Sequence, residues 1–106
     1  MELTVNKDLE ELTAWLTRGP NDRDKGRIMA DILYRRYYQD PPAHYREIGR
    51  SHGIRAATRV LYLERVALQR LRERDTLVRV REARDRVPRR LLVTLVGSWD
   101  GKGARD

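Results

Sequence analysis

The chain has no cysteine. That excludes disulfides, thiolate nucleophiles and cysteine-ligated zinc together, and it fits a reducing cytoplasm, where the protein is expected to reside. Serine occurs only at Ser51 and Ser98, neither within a nucleophile motif. The two histidines, His44 and His52, have no organised carboxylate partner in the sequence, so neither a metal centre nor acid–base catalysis is expected. A glycine-rich phosphate loop is missing as well, because Gly97, Gly101 and Gly103 lack the strand and helix that such a loop joins. The longest apolar run, from Leu91 to Val96 and interrupted by Thr94, falls far short of the roughly 20 residues that cross a membrane. The segment from Met1 to Leu12 carries four acidic side chains and no apolar run, which is not the pattern of a secretory signal. No catalytic residue, no cofactor, no metal and no membrane partner is therefore expected, and an enzyme is not.

Arginine is what the chain has in excess. Twenty arginines stand against three lysines, and the formal net charge is +7. Residues 1–20 hold two basic and four acidic groups, residues 21–54 seven and five, residues 55–90 twelve and five, and the last sixteen balance. The excess is concentrated in residues 55–90. Localised positive charge is the footprint of a polyanion partner, since neutralising phosphates releases condensed counterions. Codon bias in a GC-rich genome, or a basic helix face that is merely solvated, would leave a similar composition. Arginine is nevertheless the better residue for bidentate phosphate and guanine contacts.

A length of 106 residues allows one domain with a modest core. The spacing predicts an all-α fold. Asn6 caps a first helix in residues 1–20, with Leu9, Leu12 and Leu16 at helical spacing and Trp15 beside them, and Gly19-Pro20 ends it. Asn21 or Asp22 caps the next helix, whose apolar face is Ile28, Met29, Ile32, Leu33 and Tyr37. Asp40-Pro41-Pro42 stops that helix. A short third helix covers about residues 43–52, with Ile48 directed to the core and Gly49 at a close helix crossing. Gly53 supplies a left-handed turn, and Ile54 returns the chain to the core. From Arg55 a long basic helix follows through Val60, Leu63, Ala67 and Leu71, with Leu61 and Leu68 as a second apolar row. Asp75-Thr76 marks a break. Residues 77–86 read as helix or short strand, the run from Leu91 to Val96 is too short and too β-branched to assign, and the tail 100–106 has linker chemistry.

Helix, glycine turn and basic helix together form a helix-turn-helix, the unit that presents its second helix to the major groove. The run Asn21-Asp22-Arg23-Asp24 with its apolar helix and proline stop, then Tyr45-Arg46-Glu47-Ile48-Gly49-Arg50, Gly53-Ile54 and the stretch from Leu63 to Arg72, resembles the fourth conserved region of bacterial primary-type sigma factors over residues 21–74. The resemblance implies a sigma-region-four-like domain with two partners. The apolar residues Ile28, Met29, Ile32, Leu33 and Tyr37 would dock on the flap of the RNA polymerase β subunit. Double-stranded promoter DNA would meet Arg46, Arg50, Ser51, Arg55, Thr58, Arg59, Tyr62 and Arg65.

Departures from the family pattern qualify this expectation. Nothing upstream resembles the sigma regions that bind the polymerase clamp and open DNA, so a complete sigma factor is not expected. Counted from Gly53, the core positions Val60 and Leu63 come one residue late, and His52 stands where an apolar residue is usual, as a partly buried filler. The reading face offers Ala56, Ala57 and Leu61, and of the side chains that pair with base edges only the arginines are present. The sequence supports a transcription regulator that binds polymerase, promoter DNA or both, redirecting or inhibiting promoter recognition. The alternative is an autonomous helix-turn-helix repressor or activator, a homodimer through the C-terminal extension 75–99, whose apolar run and Trp99 have no evident core to enter.

Overall fold

The computed structural model describes residues 6–97. Trp99 and the tail 100–106 lie outside the described residues. The fold is all-helical, with α1 (Lys7–Leu16), α2 (Arg23–Leu33), α3 (Tyr45–Ser51), α4 (Ala57–Arg72), α5 (Arg74–Glu82) and α6 (Arg89–Val96). Asn6 caps α1 as its sequence predicts, Oδ1 accepting from the Leu9 N–H at 3.1 Å. α2 is entered differently. A 3₁₀ turn, Pro20–Asp22, leads straight into it, and no side chain caps it. The Asp22 carboxylate turns instead to the Arg18 N–H (2.8 Å) and the Arg70 guanidinium (2.6 Å), which ties the α1–α2 connection to the far end of α4. α2 ends in one π-helical turn, Tyr34–Tyr38, ahead of the cis Asp40–Pro41 peptide.

The α3–α4 connection has a definite geometry. Gly53 has φ +70°, and the N–H groups of Gly53 and Ile54 donate to the carbonyls of Arg50 (3.3 Å) and Gly49 (2.8 Å). This is a Schellman motif, which satisfies the last carbonyls of α3 while reversing the chain. Gly49 is required by proximity, because a Cβ there would stand 2.7 Å from the Ile54 carbonyl oxygen and 3.0 Å from Val60 Cγ2. Five residues, 52–56, connect the helices, so Arg55 lies before α4 and not within it.

α4 packs against α1, α2, α3, α5 and α6. Its buried positions, Val60, Leu63, Glu64, Ala67 and Leu71, recur at helical spacing along one side. Val60, Leu63, Ala67 and Leu71 join Leu12, Trp15 and Leu16 of α1, Met29, Ile32 and Leu33 of α2 and Ile48 of α3 in a single cluster. That cluster also takes in Val80, Ala83 and Val87 from the α5 region and Leu91, Leu92 and Leu95 of α6. The described parts of 1–20 and of 75–99 therefore share the core of 21–74. The run from Leu91 to Val96 is a helix because Leu91, Leu92 and Leu95 fall on one side and are buried there. Residues 77–86, open between helix and strand in the sequence, are α5 followed by the 3₁₀ turn Arg84–Arg86.

Gly49→Ala should lower the stability of the chain by about 1–3 kcal/mol, the usual cost of forcing a methyl into a filled contact, read as a fall in melting temperature. Asp22 gives a second expectation. The Arg18 N–H, and after it the Arg70 guanidinium, hold its carboxyl below the ordinary value of 3.8. A depressed folded-state value adds stability above the ordinary value and loses it as pH falls through the folded one. The stability gap between the wild-type chain and Asp22→Asn should thus be widest near neutrality and close in acid, as followed by urea unfolding across pH.

Candidate nucleic-acid interface

Opposite the buried side of α4 runs an exposed stripe. Thr58, Tyr62, Arg65 and Gln69 are all exposed and, at spacings of four, three and four, lie in line on one side of the helix. Arg59 flanks the stripe in the first turn. Its guanidinium carbon sits 5.3 Å from the centroid of the Tyr62 ring, a cation–π contact, and Tyr62 itself is 52% exposed. Arg55 is exposed just before the helix. On α3, Arg46 and Arg50 are exposed one turn apart, with the acidic Glu47 between them.

All eight residues expected to meet DNA are thus on the surface. Ser51 is the least available, since its hydroxyl accepts from Arg35 Nη1 at 3.2 Å and donates to the Glu47 carbonyl at 3.2 Å. Gln69 was missed by the sequence reading, although its place seven residues after Tyr62 puts it on the same helical stripe.

The arginines separate into two kinds. Arg70 donates to the carbonyl of Leu16 at the end of α1, and Arg18 to that of Arg70 near the end of α4. Arg72 donates to the carbonyls of Thr94 and Leu95 in the last turn of α6, and Arg90 to those of Tyr37 and Gln39 where the π-helical turn ends. Each guanidinium meets carbonyls at the C-terminal, negative end of a helix dipole. Ion pairs bind Arg18 to Glu73, Arg35 to Asp31 and Arg86 to Glu11. By contrast Arg46, Arg50, Arg55 and Arg65 make no side-chain hydrogen bond or ion pair among the described residues. The free guanidinium groups belong to the α3–α4 unit, together with Arg23 and Arg27 on α2 and Arg74 and Arg79 on α5.

Beneath the stripe, α3 is held to α4 by a buried polar contact. Glu64 is 8% exposed, and its Oε1 accepts from the Tyr45 hydroxyl at 3.0 Å, while the Arg36 guanidinium lies 4.2 Å over the Tyr45 ring. Burial pushes the Tyr45 phenol above its ordinary value, and the Glu64 charge and hydrogen bond push it further, so it remains a donor at neutral pH. His52 is partly buried, but it fills its position by a polar contact: Nε2 lies 2.6 Å from Asp31 Oδ2, and Arg35 also grips Asp31. No group of three His, Cys, Asp or Glu side chains among the described residues could hold a metal ion.

The residues expected to meet polymerase are divided by the fold. Met29, Ile32 and Leu33 are fully buried in the chain's own core, because the sides of α2 that face α1 and α4 coincide with its apolar face. They offer no surface to a flap. Ile28 and Tyr37 are partly exposed, and Ile28 with Leu9 is among the residues lining a groove of about 980 Å³ along α1 and α2, together with charged side chains that include Arg23, Arg27, Glu10 and Asp31. Of the apolar run expected to form a dimer contact, Leu91, Leu92 and Leu95 are buried in this core, Val93 and Val96 are partly exposed, and Trp99 lies outside the described residues.

Compared with protein-family models, with curated proteins and with solved structures, the chain matches none. Among the described residues no helix is long and apolar enough to cross a membrane.

Tyr45→Phe leaves a buried carboxylate without its hydroxyl donor, and should cost about 1–3 kcal/mol in urea unfolding while leaving every exposed arginine in place.

Proposed function

We propose that this chain is a transcription regulator that binds double-stranded DNA through the exposed side of α3 and α4. The observation that carries the reading is the division of the arginines. Those that cap and pair hold the fold together, whereas Arg46, Arg50, Arg55 and Arg65 stay solvated on one helix-turn-helix-like unit. Solvated guanidinium groups with no internal acid to neutralise them favour phosphate, and the affinity they give is strongly salt-dependent. Codon bias accounts for arginine being common, but it does not select which arginines lack partners. The order of α3, turn and α4, with α4 longer and more basic, is that of a unit whose second helix enters the major groove.

A second reading keeps RNA polymerase as partner, through the likeness to sigma region four, with the effect of redirecting or inhibiting promoter recognition. What supports it is the α1–α2 groove, whose lining residues Leu9 and Ile28 are apolar and accessible, in place of the buried Met29, Ile32 and Leu33.

Binding to a random-sequence duplex, followed by fluorescence anisotropy over a salt series, should give a steep dependence of log Kd on log salt. Arg50→Ala, Arg55→Ala and Arg65→Ala should each weaken binding to all sequences and lower the salt slope by about one. Arg86→Gln, which removes only the pairing with Glu11, should change neither. Absence of duplex binding at low salt would sink the DNA reading. Capture by core polymerase or the isolated β flap, lost in Ile28→Glu, is the corresponding expectation for the second.

A further inference from the structure

We propose that Arg59 is the side chain that distinguishes one base pair from another, and that it reads guanine; the proposal rests on the duplex-binding reading above. Arg46, Arg50, Arg55 and Arg65 are free in solution, and a freely moving guanidinium follows phosphates without selecting a base. Arg59 alone of the arginines on this exposed side is held. Its guanidinium lies over the Tyr62 ring, three residues on and half exposed, in a cation–π contact. Such a contact uses none of the guanidinium N–H groups, so the fork that matches guanine O6 and N7 stays available. Holding the group beforehand reduces the conformational entropy lost when the fork engages. Position matters as much as order. Arg59 is in the first turn of α4, the part of such a helix that reaches base edges, whereas Arg65 is two turns in and Arg55 precedes the helix. Its neighbours Ala56 and Ala57 have only methyl groups, so they add no hydrogen bond to a base and raise no steric bar to close approach.

The test is selection of duplexes from a randomised library by the full chain, then affinity measured on the selected site and on the same site with its guanine replaced by adenine. The wild-type chain should enrich one guanine and lose roughly fivefold to a hundredfold in affinity on the replaced site, the range of one bidentate pair. Arg59→Lys keeps the charge and loses the fork. It should keep the salt slope and the affinity for the adenine-replaced site, while its affinity for the selected site falls towards that level and its discrimination drops to about twofold or less. Tyr62→Leu should keep the salt slope and show intermediate discrimination. Both side chains are exposed, and circular dichroism verifies that the variants fold. Salt-dependent duplex binding with no guanine enriched would overturn the proposal and leave the DNA reading standing, and so would full discrimination in Arg59→Lys. Unchanged discrimination in Tyr62→Leu would overturn the role given to the ring. Loss of all duplex binding by the wild-type chain would remove both readings together.

Discussion

The structure depends on the buried side of α4. Val60, Leu63, Ala67 and Leu71 lie under five other helices, and each fully buried side chain of leucine or valine size contributes about 1.5–3 kcal/mol. One helix cannot be central on every side. With 3.6 residues per turn, the side of α4 away from the buried positions points outward, and it carries Thr58, Tyr62, Arg65 and Gln69. The exposed stripe is therefore held by the most constrained helix of the fold. A rigid support of that kind is what a recognition surface requires, because loosely held groups lose precision on contact.

The abundance of arginine acquires two meanings from this arrangement. Helices that end against one another leave terminal carbonyls near neighbouring helices, and a guanidinium with several donors can satisfy two at once, as Arg72 and Arg90 do. Lysine, a point charge on a flexible stem, fits that task less well. In residues 55–90, Arg70, Arg72 and Arg90 thus stabilise helix ends from within the molecule. The arginines without such a task include Arg46, Arg50, Arg55 and Arg65 around α3 and α4, and others on α2 and α5. Net charge alone does not tell these two kinds apart.

Several elements were legible in order and spacing. The Asn6 cap, the inward Ile48, the close crossing at Gly49 and the left-handed Gly53 each follow from a local rule that needs only neighbouring residues. The inward places of Val60 and Leu63 were legible too, since a helical repeat puts both on the side that is buried. Less could be read where the decision was made by distant chain. Asp22 had the composition of a cap, but its carboxylate is claimed by Arg70, 48 residues away, because the 3₁₀ turn brings it there. The run from Leu91 to Val96 resembled a sticky surface without a place in the core, and α4 supplied that place.

The sequence by itself determined the helical character of α1 to α4 and which side of each is apolar, because these depend on periodicity and local backbone preference; α5 and α6 it left open. Only the tertiary structure decided which apolar residues remain accessible and which arginines remain free. Met29, Ile32 and Leu33 could have been a docking face or a core, and packing of α2 on α1 and α4 made them core. Arg70 and Arg65 are indistinguishable by composition, yet one closes the end of α1 and the other faces solvent. Burial and pairing are properties of neighbours in space, and a linear sequence does not state who those neighbours are.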